Sequence, residues 1–106
     1  MPDKPRYRTL LETPEYTAQS DALCAKHSLA VIGPILSGLF WGIATNPQAY
    51  DRTTWATRWA QSKRSLGLTI PVFTIIFQIQ NEGLEDETVL LLWIEETGSM
   101  GEILGL

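Results

Sequence analysis

The dominant pattern in the chain is an uncharged, mostly apolar run from Ser28 to Tyr50. Apolar residues recur in it at helical spacing, with Leu29, Ile32, Leu36, Leu39, Phe40 and Ile43 on one side and Val31, Ile35 and Trp41 on the other. A helix that is apolar nearly all round is normally buried on most sides. Ser28 is placed to cap the start of the helix, and Asn46 and Pro47 end it. Between them, Gly33 and Pro34 predict a kink or a restart.

A second helix is predicted upstream, because Thr13 is placed to cap a first turn and Pro14 suits the first helical position. It ends near His27, and its apolar face is formed by Tyr16, Leu23 and Cys24. Alternation from Tyr7 predicts a short strand before it. The two helices therefore follow one strand directly and form a hairpin.

Three strands are predicted after the helices. In the first, from Thr54, Trp55 and Trp59 share one face, and the segment 70–80 alternates β-branched and aromatic residues most clearly. In 88–94, one face holds Val89, Leu91 and Trp93 and the other Leu90, Leu92 and Ile94. Because both faces are apolar, this strand is predicted to be central.

The resulting order is β-α-α-β-β-β, an α+β fold with a helical hairpin packed on one face of a mainly antiparallel sheet. One domain is expected over residues 1–106, with a loose lead-in at 1–6 and a tail of undefined structure at 97–106.

A transmembrane helix is the alternative for the uncharged run, since about 20 apolar residues span a bilayer. The strongly apolar part is shorter, Leu29 to Ala44, and the later strands need its cover. The sequence therefore favours a core helix and no membrane association. Gly38 and Gly42 form a G-x-x-x-G pair, which we interpret as a place where a strand or second helix packs closely.

Charge argues mildly against nucleic-acid binding, because 12 acidic and 8 basic residues give a net charge of −4. The bases nevertheless cluster in the middle of the chain, at Arg52, Arg58, Lys63 and Arg64. One face is therefore still a candidate basic surface. The single cysteine, Cys24, and the absence of a signal pattern favour the cytoplasm. No metal-ligand spacing or cofactor motif is found, so no cofactor is expected.

The stretches WGIATNPQAY, FTIIFQI and VLLLWIEE follow one another along the chain. Over residues 7–96 the chain resembles the RelE/ParE superfamily of bacterial toxin-like proteins. The resemblance implies a short first strand, a helical hairpin closed by a run like NPxxY, and three antiparallel strands. It also implies a cognate antitoxin as partner. Ribosome-dependent members are mRNA endoribonucleases, whereas ParE-like members act on DNA gyrase.

Carried onto this sequence, the resemblance gives an incomplete site. Arg58, Lys63 and Arg64 stand where the family often places phosphate-contacting bases, and with Trp59 they are the candidate nucleic-acid or partner-binding residues. Thr74 stands at the family's usual arginine. Glu95, Glu96 and Thr97 stand where a basic residue or tyrosine is wanted, so no catalytic residue is assigned.

Two interpretations stay open: a toxin-like protein of a toxin–antitoxin pair, and a non-catalytic protein-binding or homodimerising module on the same fold. Among other candidates, His27 has no evident partner and is interpreted as a capping or loop residue. Glu95 and Glu96 point to opposite faces of a strand and cannot act as a close pair. Cys24 is interpreted as a small buried residue.

Overall fold

The structure is a computed structural model that describes residues 7–62 and 71–98. Its elements follow the predicted order. They are β1 (Thr9–Glu12), α1 (Pro14–Lys26), α2 (Leu29–Thr45), a 3₁₀ turn (Pro47–Ala49), β2 (Arg58–Gln61), β3 (Val72–Gln80) and β4 (Thr88–Gly98). The predicted 1–6 lead-in and most of the 97–106 tail lie outside the described residues.

One four-stranded sheet is ordered β1-β4-β3-β2. β1 pairs in parallel with β4, whereas β2–β3 and β3–β4 are antiparallel. The α+β class is confirmed, and β4 is central as its two apolar faces predicted. The β3–β4 turn contains Asn81 and Gly83, both with positive φ, a backbone conformation that these two residue types tolerate better than others.

The start of α1 is confirmed and tied to the sheet. Thr13 Oγ1 accepts the Tyr16 N–H at 3.3 Å and donates to the Leu91 carbonyl at 2.9 Å. One side chain therefore satisfies an unpaired amide of the first turn and joins the helix to β4. Ser28 occupies the same capping position before α2 but makes no side-chain cap hydrogen bond.

α2 is buried on one side only, so the prediction of burial on most sides is wrong. Ile32, Leu39 and Ile43 lie in the core, whereas Leu29 is 73% and Trp41 59% exposed. A two-layer fold offers this helix a single sheet to cover. α2 also continues through Pro34 without a restart. Within residues 7–62 and 71–98, no helix is both long and apolar enough to cross a membrane.

The glycine pair of α2 does not mark a helix or strand contact. Nothing lies within 4 Å of a Cβ built on Gly38, whereas a Cβ on Gly42 meets the Tyr50 hydroxyl. Tyr50 belongs to the loop that follows the helix, and its ring packs edge-on against Phe77 at 5.7 Å. Only Gly42 is therefore required for close packing.

The predicted strand from Thr54 begins four residues later, at Arg58. Thr54 Oγ1 accepts the amides of Ala56 and Thr57, which holds this segment as a turn. Trp55 lies in that turn and is 87% exposed, so it does not share a strand face with Trp59. Threonine enrichment predicted a strand here, but the hydroxyls bond locally instead.

The core lies between the helices and one face of the sheet. Its largest fully buried side chains include Tyr16, Phe73, Phe77, Ile32, Ile43 and Ile75. Tyr16 comes from the predicted apolar face of α1, and Leu23 and Cys24 pack against the same cluster. That face is therefore confirmed.

Replacing Tyr16 with phenylalanine is expected to raise the free energy of unfolding by about 1 kcal/mol. The Tyr16 hydroxyl is buried with no hydrogen-bond partner among the described residues, and burial raises its pKa, with Glu12 and Cys24 adding to the shift. Urea denaturation measures the change. Tyr50→Phe is the control in the same core, and a loss of stability in Tyr16→Phe would show that the hydroxyl is satisfied in solution.

Candidate binding face of the sheet

The sheet has one face that neither helix covers. Along β3, Phe73, Ile75 and Phe77 are buried on the helix side, and the alternate residues point away from the helices. Register extends this second face across all four strands. We define the open face as Leu11, Trp59, Gln61, Thr74, Ile76, Gln78, Leu90, Trp93 and Glu95.

An aromatic row crosses the centre of the open face. Ile76 is paired with Trp59 of β2 on one side and with Trp93 of β4 on the other. Directly opposed residues on adjacent strands lie about 5 Å apart, so the two indoles flank the isoleucine. Trp93 is 43% exposed. The row is therefore a continuous apolar strip that solvent reaches.

Trp93 reaches the open face because β4 contains an irregularity. Ile76 pairs with Trp93 whereas Phe77 pairs with Leu91, so Leu92 is an extra residue in the ladder. An extra residue reverses the alternation beyond it. Leu91 consequently stays in the core while Trp93 turns outward and Ile94 becomes buried. The prediction that Val89, Leu91 and Trp93 share one face is wrong for this reason.

A polar row lies beside the aromatic one. Thr74 is paired with Gln61 and with Glu95, and Gln61 Nε2 donates to Thr74 Oγ1 at 3.1 Å. Trp93 Nε1 lies 3.4 Å from Glu95 Oε2. The open face therefore presents an amide, a hydroxyl and a carboxylate next to its apolar strip.

Of the four candidate residues from the sequence, the two that the structure describes, Arg58 and Trp59, lie on opposite faces of β2. Trp59 lies on the open face, but Arg58 pairs with Phe77 on the helix side. Arg58 Nη1 donates to the carbonyls of Tyr50 at 2.7 Å and Gln48 at 3.2 Å. Arg58 therefore holds the loop after α2, and its predicted role in binding phosphate or a partner is not supported by its position. Lys63 and Arg64 lie outside the described residues.

Glu95 and Glu96 point to opposite faces, as the alternation predicted. Glu96 Oε1 lies 2.5 Å from His27 Nε2 and 3.3 Å from Lys26 Nζ, at the junction of the two helices. The hydrogen bond with His27 lowers the pKa of Glu96; burial opposes the shift, and Lys26 adds to it. His27 is the C-cap of α1, so the capping interpretation agrees with its position.

The prediction that His27 lacks a partner is wrong. Its partner is Glu96, which lies 69 residues away in the sequence. No local signal marks such a pair. The His27 ring also meets Phe73 edge-on at 5.7 Å. The cluster joins the helical hairpin to the end of β4 on the helix side of the sheet, away from the open face.

Two pockets lie beside β2. One of about 170 Å³ is lined by Arg52, Trp55, Ala56, Arg58, Gln78, Ile79 and Glu82. Another, of about 320 Å³ and widely open, is lined by Ala49, Tyr50, Asp51, Trp59 and Gln61. Sites for small molecules are usually enclosed clefts of about 300–1,000 Å³. The shallow, aromatic open face fits a macromolecular surface better than a small ligand.

In the part of the chain that the structure describes, no three His, Cys, Asp or Glu side chains are grouped to hold a metal ion. Comparisons with protein-family models, with curated proteins and with solved structures give no match to this chain.

Proposed function

We propose that the chain is the toxin-like component of a bacterial toxin–antitoxin pair, related to the RelE/ParE superfamily, and that it binds its partner through the open face of the sheet. The observation that carries the binding surface is the aromatic row Trp59–Ile76–Trp93 on a face without helices. The toxin-like role is supported by the resemblance in sequence together with the element order β-α-α-β-β-β.

The composition of the open face suits a protein partner. Tryptophan is among the residues that contribute most to the affinity of protein interfaces, and such anchors lie near the centre of the contact with polar groups at the rim. Here the indoles of Trp59 and Trp93 are central, and Gln61, Thr74 and Glu95 lie beside them. An antitoxin segment that lays an apolar side chain between the indoles matches this arrangement.

The second candidate, a non-catalytic protein-binding module on the same fold, is favoured by Glu95. Its carboxylate lies beside Trp93, so a phosphate group on that row meets an unfavourable charge. Thr74, at the position of the family's arginine, is neutral. Both candidates share the open face as the binding surface and differ in whether free protein harms the cell.

Inducing the chain alone in a bacterial host separates the two candidates. Arrest of growth, with reduced incorporation of labelled methionine, supports the toxin-like function. Normal growth at high expression removes that function but leaves the binding module. If a short reading frame adjoins the gene, its product is the partner to test, by co-expression with the chain and co-purification.

Replacing Trp93 with serine is expected to weaken binding of that co-expressed product by about 30-fold, the size of a central interface anchor of about 2 kcal/mol. Titration calorimetry measures the affinity. Trp55→Ser is the matched control, since Trp55 lies in the turn before β2 and is more exposed than Trp93. Equal affinity of both variants would show that the partner does not use the open face.

A further inference from the structure

α2 has an outer face, opposite its core residues, that is apolar and open. Its members recur at spacings of three and four residues and are Ala30, Val31, Pro34, Ser37, Gly38 and Trp41. All six are exposed. Trp41 is also joined to exposed Tyr7, whose hydroxyl lies 3.4 Å from the indole Nε1. The outer face of α2 is therefore a surface distinct from the open face of the sheet.

An ordinary surface helix turns charged residues to water, and α1 does so with Glu15, Asp21 and Lys26. α2 does not, because no charged residue occurs between His27 and Asp51. Contiguous apolar surface of this kind marks contact sites in proteins. Nothing on it selects a charged partner.

We propose that the outer face of α2 binds the same face of a second copy of this chain, with the two helices antiparallel about a two-fold axis. Under that symmetry, the large side chain of each copy lies opposite a smaller one of the other copy. Trp41 is bulky, Val31 is of medium size ten residues earlier, and Ser37 and Gly38 between them are small. A two-fold axis beside position 36 places each Trp41 against the other copy's Val31.

The middle of the outer face permits close approach of the helices. A Cβ added at Gly38 would meet nothing within 4 Å in one copy, so the space above Gly38 is free for the other copy's Pro34. Small residues at a crossing allow helix axes to approach to about 8 Å. The 17 residues of α2 make a rod about 25 Å long, which is enough for both Trp41 contacts.

The area is adequate for a stable contact. Tyr7 is 62% exposed and Trp41 59%, and aromatic side chains bury about 150–250 Å² each when covered. With the other five members of the outer face added in both copies, the total reaches roughly 1,000 Å², the lower limit of specific interfaces. Because the contact is uncharged, its strength is expected to be nearly independent of salt.

Sedimentation equilibrium of the full chain tests the proposal. We expect a mass twice the 11.9 kDa of one chain, equally at low and high salt. Trp41→Ser and, separately, Gly38→Glu are expected to raise the dimer dissociation constant by at least 30-fold. Trp55→Ser is expected to leave it unchanged. A monomer at all concentrations, or a dimer insensitive to both α2 variants, overturns the proposal.

A cross-linking measurement keeps the test independent of those variants. Ser37 lies next to the proposed axis, so Ser37→Cys is expected to form a disulfide-linked dimer under mild oxidation. Ala22→Cys, exposed on α1, is expected to stay unlinked. Equal linking of both variants contradicts the arrangement. The dimer does not depend on the proposed function, since growth arrest and partner binding are measured separately and involve the open face.

Discussion

Replacing Arg8 with methionine is expected to lower the free energy of unfolding by about 3 kcal/mol, the size typical of breaking a buried ion pair. Arg8 Nε donates to Glu87 Oε1 at 2.6 Å, and Arg8 Nη1 donates to the carbonyl of Thr45 at 2.5 Å. The substitution therefore leaves a buried carboxylate without its cation and the Thr45 carbonyl, at the end of α2, without the guanidinium donor. Urea denaturation measures the loss.

Glu87 is the centre of this buried cluster. It is 5% exposed, and its other oxygen accepts the amide N–H of Gly83 at 2.7 Å and the Gln48 side-chain amide at 3.0 Å. The cluster therefore joins the residue before β1, the end of α2, the 3₁₀ turn and the β3–β4 turn. A loss below about 1 kcal/mol in Arg8→Met would show that the cluster contributes no more than a surface pair.

The same cluster makes the free energy of unfolding depend on pH. Burial raises the pKa of Glu87, but the donors Gly83, Arg8 and Gln48 outweigh burial and lower it below its ordinary value. A carboxylate with a lowered pKa stabilises the fold fully above its unfolded pKa of about 4.3, and this contribution is lost as pH falls through the folded value. We therefore expect the free energy of unfolding of the wild type to decrease as the pH drops below about 4.

Glu87→Gln isolates that contribution. The uncharged amide removes the titrating group, so the variant is expected to be less stable at pH 7 and to lose less on acidification than wild type. Glu96, whose pKa is also lowered, titrates in both proteins, and its effect cancels in the difference. Parallel curves of stability against pH for the two proteins would contradict this role of Glu87.

Replacing Gly42 with alanine is expected to lower the free energy of unfolding by up to about 2 kcal/mol, since overpacking costs about 1–3 kcal/mol and alanine returns about 1 kcal/mol of helix propensity. A Cβ at this position would overlap the Tyr50 hydroxyl, with the ring carbon that bears it at 3.5 Å. Tyr50 has little freedom to move because its ring packs against Phe77. Thermal or urea denaturation measures the change.

Two further variants sharpen this result. In Gly42→Ala with Tyr50→Phe, the overlapping oxygen is gone, so the double variant is expected to recover most of the loss. Gly38→Ala, in the same helix but with nothing of the same chain within 4 Å of the added Cβ, is the matched control; measured at protein concentrations at which the chain is monomeric, it is expected to raise stability by about 0.5–1 kcal/mol. If both alanine variants change stability equally, contact with Tyr50 is not the cause.

Much of the fold follows from local chemistry in the sequence. Thr13 and Pro14 start α1 because a side-chain oxygen and a fixed φ satisfy the first turn wherever the helix lies. Asn46 and Pro47 end α2, and alternation in β3 separates its buried face from its open one. These features depend on neighbours within a few residues, so the element order was predictable.

The positions of the candidate site residues were less predictable. Trp59 is on the open face as its strand pattern allowed, but Trp93 joins it only because Leu92 is an extra residue in the β3–β4 ladder. Arg58 faces the loop carbonyls instead of a ligand. Register and irregularities of pairing are set by two strands together, and a single strand does not encode them.

The sequence by itself determined that the uncharged run Ser28–Tyr50 contains a helix that ends at Asn46–Pro47. It also determined that two helices follow one strand and precede three, and that Glu95 and Glu96 face apart. Only the tertiary structure decided that one side of α2 stays uncovered, and that Arg8 meets Glu87 and His27 meets Glu96. The physical reason is that periodicity shows which residues are apolar, whereas burial and long-range pairing depend on whether another element lies against them.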